Sequence, residues 1–171
     1  MVSEIITPQD GEESSQGRPA LVLDTNTVLA LWMFRDPTLN ALREWIEAGN
    51  CRLYSREDAL EELRRVLAYR QFGLDEVSQQ AIIGGYRLLL TPCPPPTDRS
   101  TTAAPALLPR CRDADDQKYL EIAVQLGAAH LLTRDKALLK LARHRTIRDR
   151  LTILTPERFI ATTLSTSAVP R

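Results

Sequence analysis

Short apolar runs alternate with segments of helical periodicity along this chain, and this alternation constrains its fold more than any other feature. The runs have the length of strands, and most segments between them place apolar residues three or four positions apart. Strands separated by helices imply right-handed crossovers and a mostly parallel sheet covered on both faces. We therefore predict an α/β fold, a three-layer α/β/α sandwich with a mostly parallel central sheet. The predicted strands are residues 20–23, 52–54, 88–91, 129–133 and 151–154.

Several predicted helices have ends that the sequence marks. Ser55 is the expected N-cap of a helix with Leu60, Leu63 and Leu67 on its inner side. Gly49 and Gly127 follow helical segments, where glycine commonly ends a helix. Further helices are predicted at residues 38–48, 75–87, 113–127, 135–142 and 156–163.

One domain is expected, because 171 residues are enough for one substantial core. Residues 1–19 are polar and predict a disordered N-terminal tail, residues 20–163 form the predicted domain, and residues 164–171 form a C-terminal tail. Residues 92–112 include three consecutive prolines and show no periodicity, which predicts a long surface loop.

The bulk composition excludes several classes of protein. Lys and Arg together number 22, as do Asp and Glu, so no overall basic charge argues for nucleic acid. The apolar stretch 20–33 is interrupted by Asp24 and Asn26 and is too short to span a bilayer. The cysteines match neither a zinc signature nor a disulfide framework, which favours a cytoplasmic location. They are Cys51, Cys93 and Cys111.

Two carboxylates follow predicted strands at the point where each strand ends. Asp24 directly follows the first apolar run, and Asp135 follows the run that contains Leu131 and Leu132. Ligands of doubly wound sheets bind beyond the carboxyl ends of the strands, so both side chains are expected at one site. The alternative is that each carboxylate only caps the following helix.

Asp116 extends the inner stripe of the predicted helix 113–127 by one turn, because it precedes Leu120 and Ala123 at helical spacing. An ionised carboxylate that faces inward is costly unless a charge or a metal compensates it. Asp113 lies one turn earlier on roughly the same side, whereas Asp115 is rotated away and reads as a solvated or capping residue. The alternative is an ordinary acidic helix start.

These candidate ligands are hard oxygens, which favours Mg²⁺ or Mn²⁺ over zinc or copper. Several neighbouring carboxylates cannot all stay ionised without a cation. Bound Mg²⁺ or Mn²⁺ ions activate water for attack on a phosphoryl group. Neither His130 nor His144 belongs to a cluster, and no nucleophile elbow or phosphate-binding loop is present in the sequence. Glu61 and Glu62 both lie beside an apolar stripe, and spacing does not choose between them.

The stretch 134–150 carries seven basic residues against two acidic ones. Arg134, Lys136 and Lys140 are therefore candidates for binding an RNA phosphate backbone, and the alternative is an ordinary solvated helix surface.

Four segments in order resemble the motifs of PIN domains. Residues 22–29 resemble the opening strand and first acid, and residues 55–67, 112–123 and 131–139 resemble the second, third and fourth motifs. Residues 153–159 resemble the branch described as toxin components of toxin–antitoxin pairs, akin to VapC. The likeness runs from about residue 20 to residue 160, and the N-terminal extension and the proline-rich segment depart from it.

The resemblance implies four catalytic acids that bind metal, one or two Mg²⁺ or Mn²⁺ ions. It selects Glu62 over Glu61, because the motif's glutamate precedes the leucine of its Leu-x-x-Val-Leu run. Asp113 matches an additional acid of this branch, and Asn26 and Thr133 match supporting hydrogen-bonding groups. The four acids are Asp24, Glu62, Asp116 and Asp135.

By the same resemblance, the expected function is that of a metal-dependent endoribonuclease, a toxin held inactive by a cognate antitoxin protein and typically a homodimer. Two alternatives stay open at this point. One is a housekeeping RNA-processing nuclease on the same fold, and the other is a non-catalytic interaction module whose acids serve as helix caps.

Overall fold

The computed structural model describes residues 17–92 and 108–165. Its strands form one parallel sheet with the order β2-β1-β3-β4. Helical segments connect consecutive strands along the chain, as parallel pairing requires. The α/β prediction is therefore confirmed. The strands are Ala20–Leu23 (β1), Arg52–Tyr54 (β2), His130–Leu132 (β3) and Thr152–Leu154 (β4).

Helices cover both faces of this sheet. The first and last α-helices each run on into a π-helical turn, at Leu29–Met33 and at Ile160–Leu164. Short 3-10 turns occur at Pro37–Leu39 and Arg70–Phe72. The α-helices are Thr25–Val28 (α1), Asn40–Glu47 (α2), Glu57–Leu67 (α3), Glu76–Leu89 (α4), Gln117–Gln125 (α5), Lys136–Leu141 (α6) and Pro156–Phe159 (α7).

The hydrophobic core has two parts, one on each face of the sheet. Along β1, Leu21 and Leu23 belong to the part that packs against α2, α3 and α4, whereas Ala20 and Val22 belong to the part that packs against α5 and α6. Successive side chains of a strand point to opposite faces, so a fully buried β1 must be apolar throughout. The continuous apolar run at residues 20–23 reflects this double burial.

The register of the central strands places their carboxyl ends at one level. Val22 pairs with Tyr54 of β2 and with Leu131 of β3. The amide of Asp24 then donates to the carbonyl of Leu132 at 3.3 Å. Residues that directly follow β1 and β3 therefore meet at the same edge of the sheet.

The predicted strand at residues 88–91 is wrong. The helix α4 continues to Leu89, and in this segment Leu90 alone forms an isolated parallel bridge, with Leu53. Three consecutive leucines carry neither a helical nor a strand period, so the pattern does not separate a helix end from a strand. Gly84 and Gly85 lie inside α4, on its exposed side, and do not interrupt it.

Two predicted helix starts are also wrong. Helix α3 begins at Glu57, and its N-cap residue is Arg56, which makes no side-chain cap bond, rather than Ser55. Helix α5 begins at Gln117 rather than at Asp113. The carboxylate of Asp113 accepts a hydrogen bond from the amide of Asp115, a local turn that competes with helix formation.

Several sequence predictions fall wholly or largely outside the described residues. They concern residues 1–16 of the N-terminal segment, residues 93–107 of the proline-rich segment, which include Cys93, and residues 166–171. Cys51 is buried and Cys111 is partly buried, and both are free thiols. Within residues 17–92 and 108–165, no helix is long and apolar enough to cross a membrane.

Candidate active site

Asp24 is a buried carboxylate at the carboxyl end of β1, with 3% of its surface exposed. One of its oxygens accepts a hydrogen bond from the amide of Thr27 at 2.7 Å, and the other accepts one from the hydroxyl of Thr133. Burial raises the pKa of Asp24, and these hydrogen bonds oppose the rise without cancelling it. The hydrogen bonds of Asp24 in the folded protein thus do not fully offset the cost of burying its ionised form.

A single hydroxyl connects Asp24 to the next acid. The Oγ1 of Thr133 donates to Asp24 and accepts a hydrogen bond from the amide of Asp135 at 2.9 Å. The carboxylate of Asp135 accepts from the amides of Ala137 and Leu138, at the start of α6. Both acids therefore cap a helix, and the same contacts fix them at one edge of the sheet.

Asp116 lies at the start of α5 as its N-cap residue, and its side chain makes no cap hydrogen bond. It is partly buried, which agrees with its position before the inner stripe of the helix. Its pKa is raised to about 6, first by burial and then by the negative charges of neighbouring acids. Those acids are Asp135, Asp113, Asp24 and Glu62, in decreasing order of effect.

The structure distinguishes the two glutamates of α3. Glu61 is exposed and pairs with Arg64 on the same helix. Glu62 faces α5, with 16% of its side chain exposed, and accepts a hydrogen bond from the hydroxyl of Tyr119 at 3.2 Å. Glu62 therefore lies on the side of the other acids.

Tyr119 and Lys118 were not among the sequence predictions, although both contact Glu62. The hydroxyl of buried Tyr119 shares a 2.7 Å hydrogen bond with the side chain of Thr25, and the ammonium group of Lys118 forms an ion pair with Glu62. Tyr119 precedes Ile122 and Ala123 at helical spacing, a signal that marks it as inward-facing. Lys118 gives no such signal, because a lysine near a helix start is usually solvated.

The supporting residues differ in their surroundings. Thr133 is fully buried and holds two acids, whereas Asn26 is exposed. Asp113 is exposed and close enough to Asp116 to raise its pKa. Arg134 pairs with Asp36 and Glu157, so its guanidinium is occupied by two carboxylates.

A cavity of about 860 Å³ adjoins Asp113, Asp116 and Asp135. Lys136 and Lys140, both predicted as RNA-binding, line it together with Arg110 and Arg112, which the sequence reasoning did not select. The cavity therefore places four cationic side chains around three acids. Such a lining suits a ligand that carries phosphate groups.

The acids lie near one another, but their side chains are not arranged as a complete set of metal ligands. In the described part of the chain, no three Asp, Glu, His or Cys side chains are grouped so that they could hold a metal ion. Two of the acids have other partners: Lys118 pairs with Glu62, and helix amides donate to Asp135. Asp24 and Asp116, with their raised pKa values, lack a comparable cation among the described residues.

We predict that Asp116→Asn stabilises the metal-free protein at neutral pH. The pKa of Asp116 is about 6 in the folded protein against 3.8 as the ordinary value, so the protonated acid favours folding. That contribution is full below about pH 4 and is lost as the pH rises through 6. Thermal unfolding in EDTA should therefore show the variant melting near the wild type at pH 4 and a few degrees higher at pH 7.5.

The exposed neighbour supplies a control for this measurement, because Asp115→Asn removes one negative charge from the same segment without removing the partly buried acid. Its melting temperature is expected to follow the wild type across the series. A constant difference between Asp116→Asn and the wild type at all pH values would contradict the assignment of Asp116 to a like-charged cluster.

Comparison with known proteins identifies the family of this chain. No curated protein matches the chain significantly. The sequence profile of the family described as PIN domain matches residues 20–137, more than half of the chain, from β1 into α6. This segment contains all four predicted acids, and PIN domains are generally nucleases. The chain therefore belongs to the PIN-domain family.

Proposed function

We propose that this PIN-domain protein is an endoribonuclease that uses Mg²⁺ or Mn²⁺ to hydrolyse RNA phosphodiester bonds. The observation that carries the proposal is the position of Asp116, whose pKa is raised first by burial and then by the neighbouring charges of Asp135, Asp113, Asp24 and Glu62. Carboxylates that repel one another at the carboxyl edge of a parallel sheet are an arrangement that a divalent cation stabilises.

The donor chemistry fits such an ion. Asp24, Glu62, Asp116 and Asp135 offer only carboxylate oxygens, which Mg²⁺ and Mn²⁺ prefer. Asp24 and Asp116 pair with no basic side chain among the described residues, so their charge calls for a cation. We expect these four acids to hold one or two ions, with Asp113 as an additional acid at the cavity. When bound, the metal lowers the pKa of water and stabilises charge on the phosphoryl group.

The remaining residues hold the acids in place. The hydroxyl of Thr133 fixes Asp24 and the backbone of Asp135, and the hydroxyl of Tyr119 fixes Glu62. Buried hydrogen bonds of this kind set the direction in which each carboxylate oxygen points. Asn26 lies two residues after Asp24 and is exposed, so its amide is available for a hydrogen bond to substrate.

The cations of the cavity are the proposed contact for the RNA backbone. Lys136 and Lys140 are exposed on α6, and Arg110 and Arg112, in the segment before α5, line the same cavity. Phosphate groups bound by these side chains would lie next to Asp116 and Asp135. Arg134 contributes less to this contact, because Asp36 and Glu157 already bind its guanidinium.

We further propose the role of a toxin in a toxin–antitoxin pair, active in the cytoplasm as a homodimer and held inactive by an antitoxin protein. The likeness of residues 153–159 to the toxin branch supports this role. A protein partner is also supported by α4, where Val77, Ala81, Gly84 and Leu88 repeat at helical spacing and are all exposed. Val77 and Leu88 are 79% and 89% exposed, and a second copy of the chain would bury this apolar face.

Cleavage of RNA is expected only with the metal and the acids together. Purified protein should cut RNA in Mn²⁺, fail to do so in EDTA, and lose about 100-fold or more of its rate in Asp116→Asn. Asp115→Asn, purified in the same way, should keep the wild-type rate and guards against a contaminating nuclease. Equal cleavage rates for Asp116→Asn and the wild type would contradict the assignment of Asp116 to the active site.

The same preparation separates a nuclease from a non-catalytic module. Retention of RNA without cleavage, together with no heat of Mg²⁺ or Mn²⁺ binding in calorimetry, would identify a binding module instead.

Loss of one lysine from the cavity should weaken RNA binding in a salt-dependent way. Lys140→Gln removes a proposed phosphate contact, so the slope of log affinity against log salt should become shallower by about 0.7 for single-stranded RNA. Arg143→Gln is the matched control, because Arg143 is exposed on the same stretch but outside the cavity lining. If Lys140→Gln and Arg143→Gln give the same slope of log affinity against log salt, the RNA binds outside this cavity.

Expression in growing cells tests the toxin role separately from the chemistry. Induction of the wild type should arrest growth, and Asp24→Asn should not. Co-expression of a cognate antitoxin, sought among the products of the adjacent genes, should restore growth. The asparagine keeps an oxygen that can accept from Thr27, so the fold is expected to survive the change. Unimpaired growth with a protein that cleaves RNA in the test tube would instead favour a housekeeping nuclease.

A further inference from the structure

Lys118 is a largely buried cation between α5 and α3, with 14% of its side chain exposed. Its ammonium group forms an ion pair with one oxygen of Glu62 and donates to the carbonyl of Asp115 at 2.5 Å. The same group lies 5.3 Å from the ring centre of Tyr119, within the range of a cation–π contact. Three neighbours therefore fix this charge in the site.

This ion pair sets Glu62 apart from the other acids. Among the residues that the structure describes, Asp24, Asp116 and Asp135 form no ion pair with a basic side chain, whereas Glu62 has a cation in contact. A carboxylate that is to bind a divalent ion must give up or share such a partner.

We propose that Lys118 is the internal counter-ion of Glu62 and competes with the divalent metal for this carboxylate. In this role Lys118 is a positioning residue that sets the metal affinity of the site. The inference rests on the proposed function in one respect only, namely that the acids bind a divalent cation.

A second contact keeps Glu62 in place when the competing charge is absent. The hydroxyl of Tyr119 donates to the oxygen of Glu62 that Lys118 does not pair with, and Thr25 holds that hydroxyl. Removal of the ammonium group should therefore leave Glu62 directed towards the site but without its counter-ion. The net charge of the site also becomes more negative by one unit, which favours a divalent ion further.

Calorimetric titration with Mn²⁺ alone tests the competition. Lys118→Met should bind Mn²⁺ about 10- to 100-fold more tightly than the wild type, the scale on which contacts to a ligand change metal affinity. Lys118→Arg restores the positive charge and should return the affinity towards that of the wild type. Arg64→Met is the matched control, because it breaks the exposed pair between Arg64 and Glu61 on the same helix as Glu62.

Thermal unfolding gives an independent readout of the same variants. Without metal, Lys118→Met should melt below the wild type, because a half-buried carboxylate loses its counter-ion. Saturating Mn²⁺ should then raise its melting temperature by more than it raises that of the wild type. If Lys118→Met does not fold without metal, Lys118→Gln takes its place in both measurements, with the same expected order.

An Mn²⁺ affinity for the folded variant that is equal to or weaker than that of the wild type overturns the proposal. The result is independent of RNA cleavage. A chain that binds Mn²⁺ in the expected order but leaves RNA uncut retains the role of Lys118 and loses the proposed function. A chain that cuts RNA while Lys118→Met binds Mn²⁺ like the wild type keeps the function and loses this inference.

Discussion

The parallel pairing of β1 with β3 is the constraint on which the site depends. Their register brings the amide of Asp24 to the carbonyl of Leu132, and the same carbonyl accepts the hydroxyl of Thr27. Thr133 follows β3 directly and is thereby placed against Asp24. A shift of one residue in this pairing would turn the side chains of β1 to the opposite face and separate the two acids. The pairing of the apolar run that forms β1 therefore also fixes the position of the first acid.

Under the proposed function, the carboxylates that cap helices are the same ones that bind the metal. Asp24 and Asp135 each satisfy amides at a helix start, which orients the acid before any ligand arrives. Both cap hydrogen bonds of Asp135 go to one oxygen, which leaves the other oxygen for the site. Each oxygen of Asp24 accepts one hydrogen bond and keeps a further lone pair. The two interpretations that the sequence left open for these residues are therefore compatible. Asp116 differs, because its side chain caps nothing and its charge is opposed by its neighbours.

The sequence predicted what depends on local pattern and missed what depends on contacts between distant segments. The parallel sheet follows from the apolar runs, and the placement of Asp24 and Asp135 follows from their positions shortly after two of these runs. The choice of Glu62 over Glu61 follows from the packing of α3 against α5, and only the family resemblance anticipated it. Lys118 was missed for the same reason, since 56 positions separate it from the carboxylate with which it pairs. The start of α5 was misplaced because a side chain–backbone turn at Asp113 outweighed helix propensity.

The position of β4 at the border of the sheet has a consequence for where this protein can be divided. The family match ends at residue 137, yet β3 still needs β4 to satisfy the backbone groups along its outer side. A fragment cut there would expose an open strand edge directly beside the acids, a surface on which other extended chains readily add. It would also remove Glu157 from Arg134. The smallest unit that keeps β3, the strand before Asp135, paired on both sides therefore extends past the family match, through β4 and into α7.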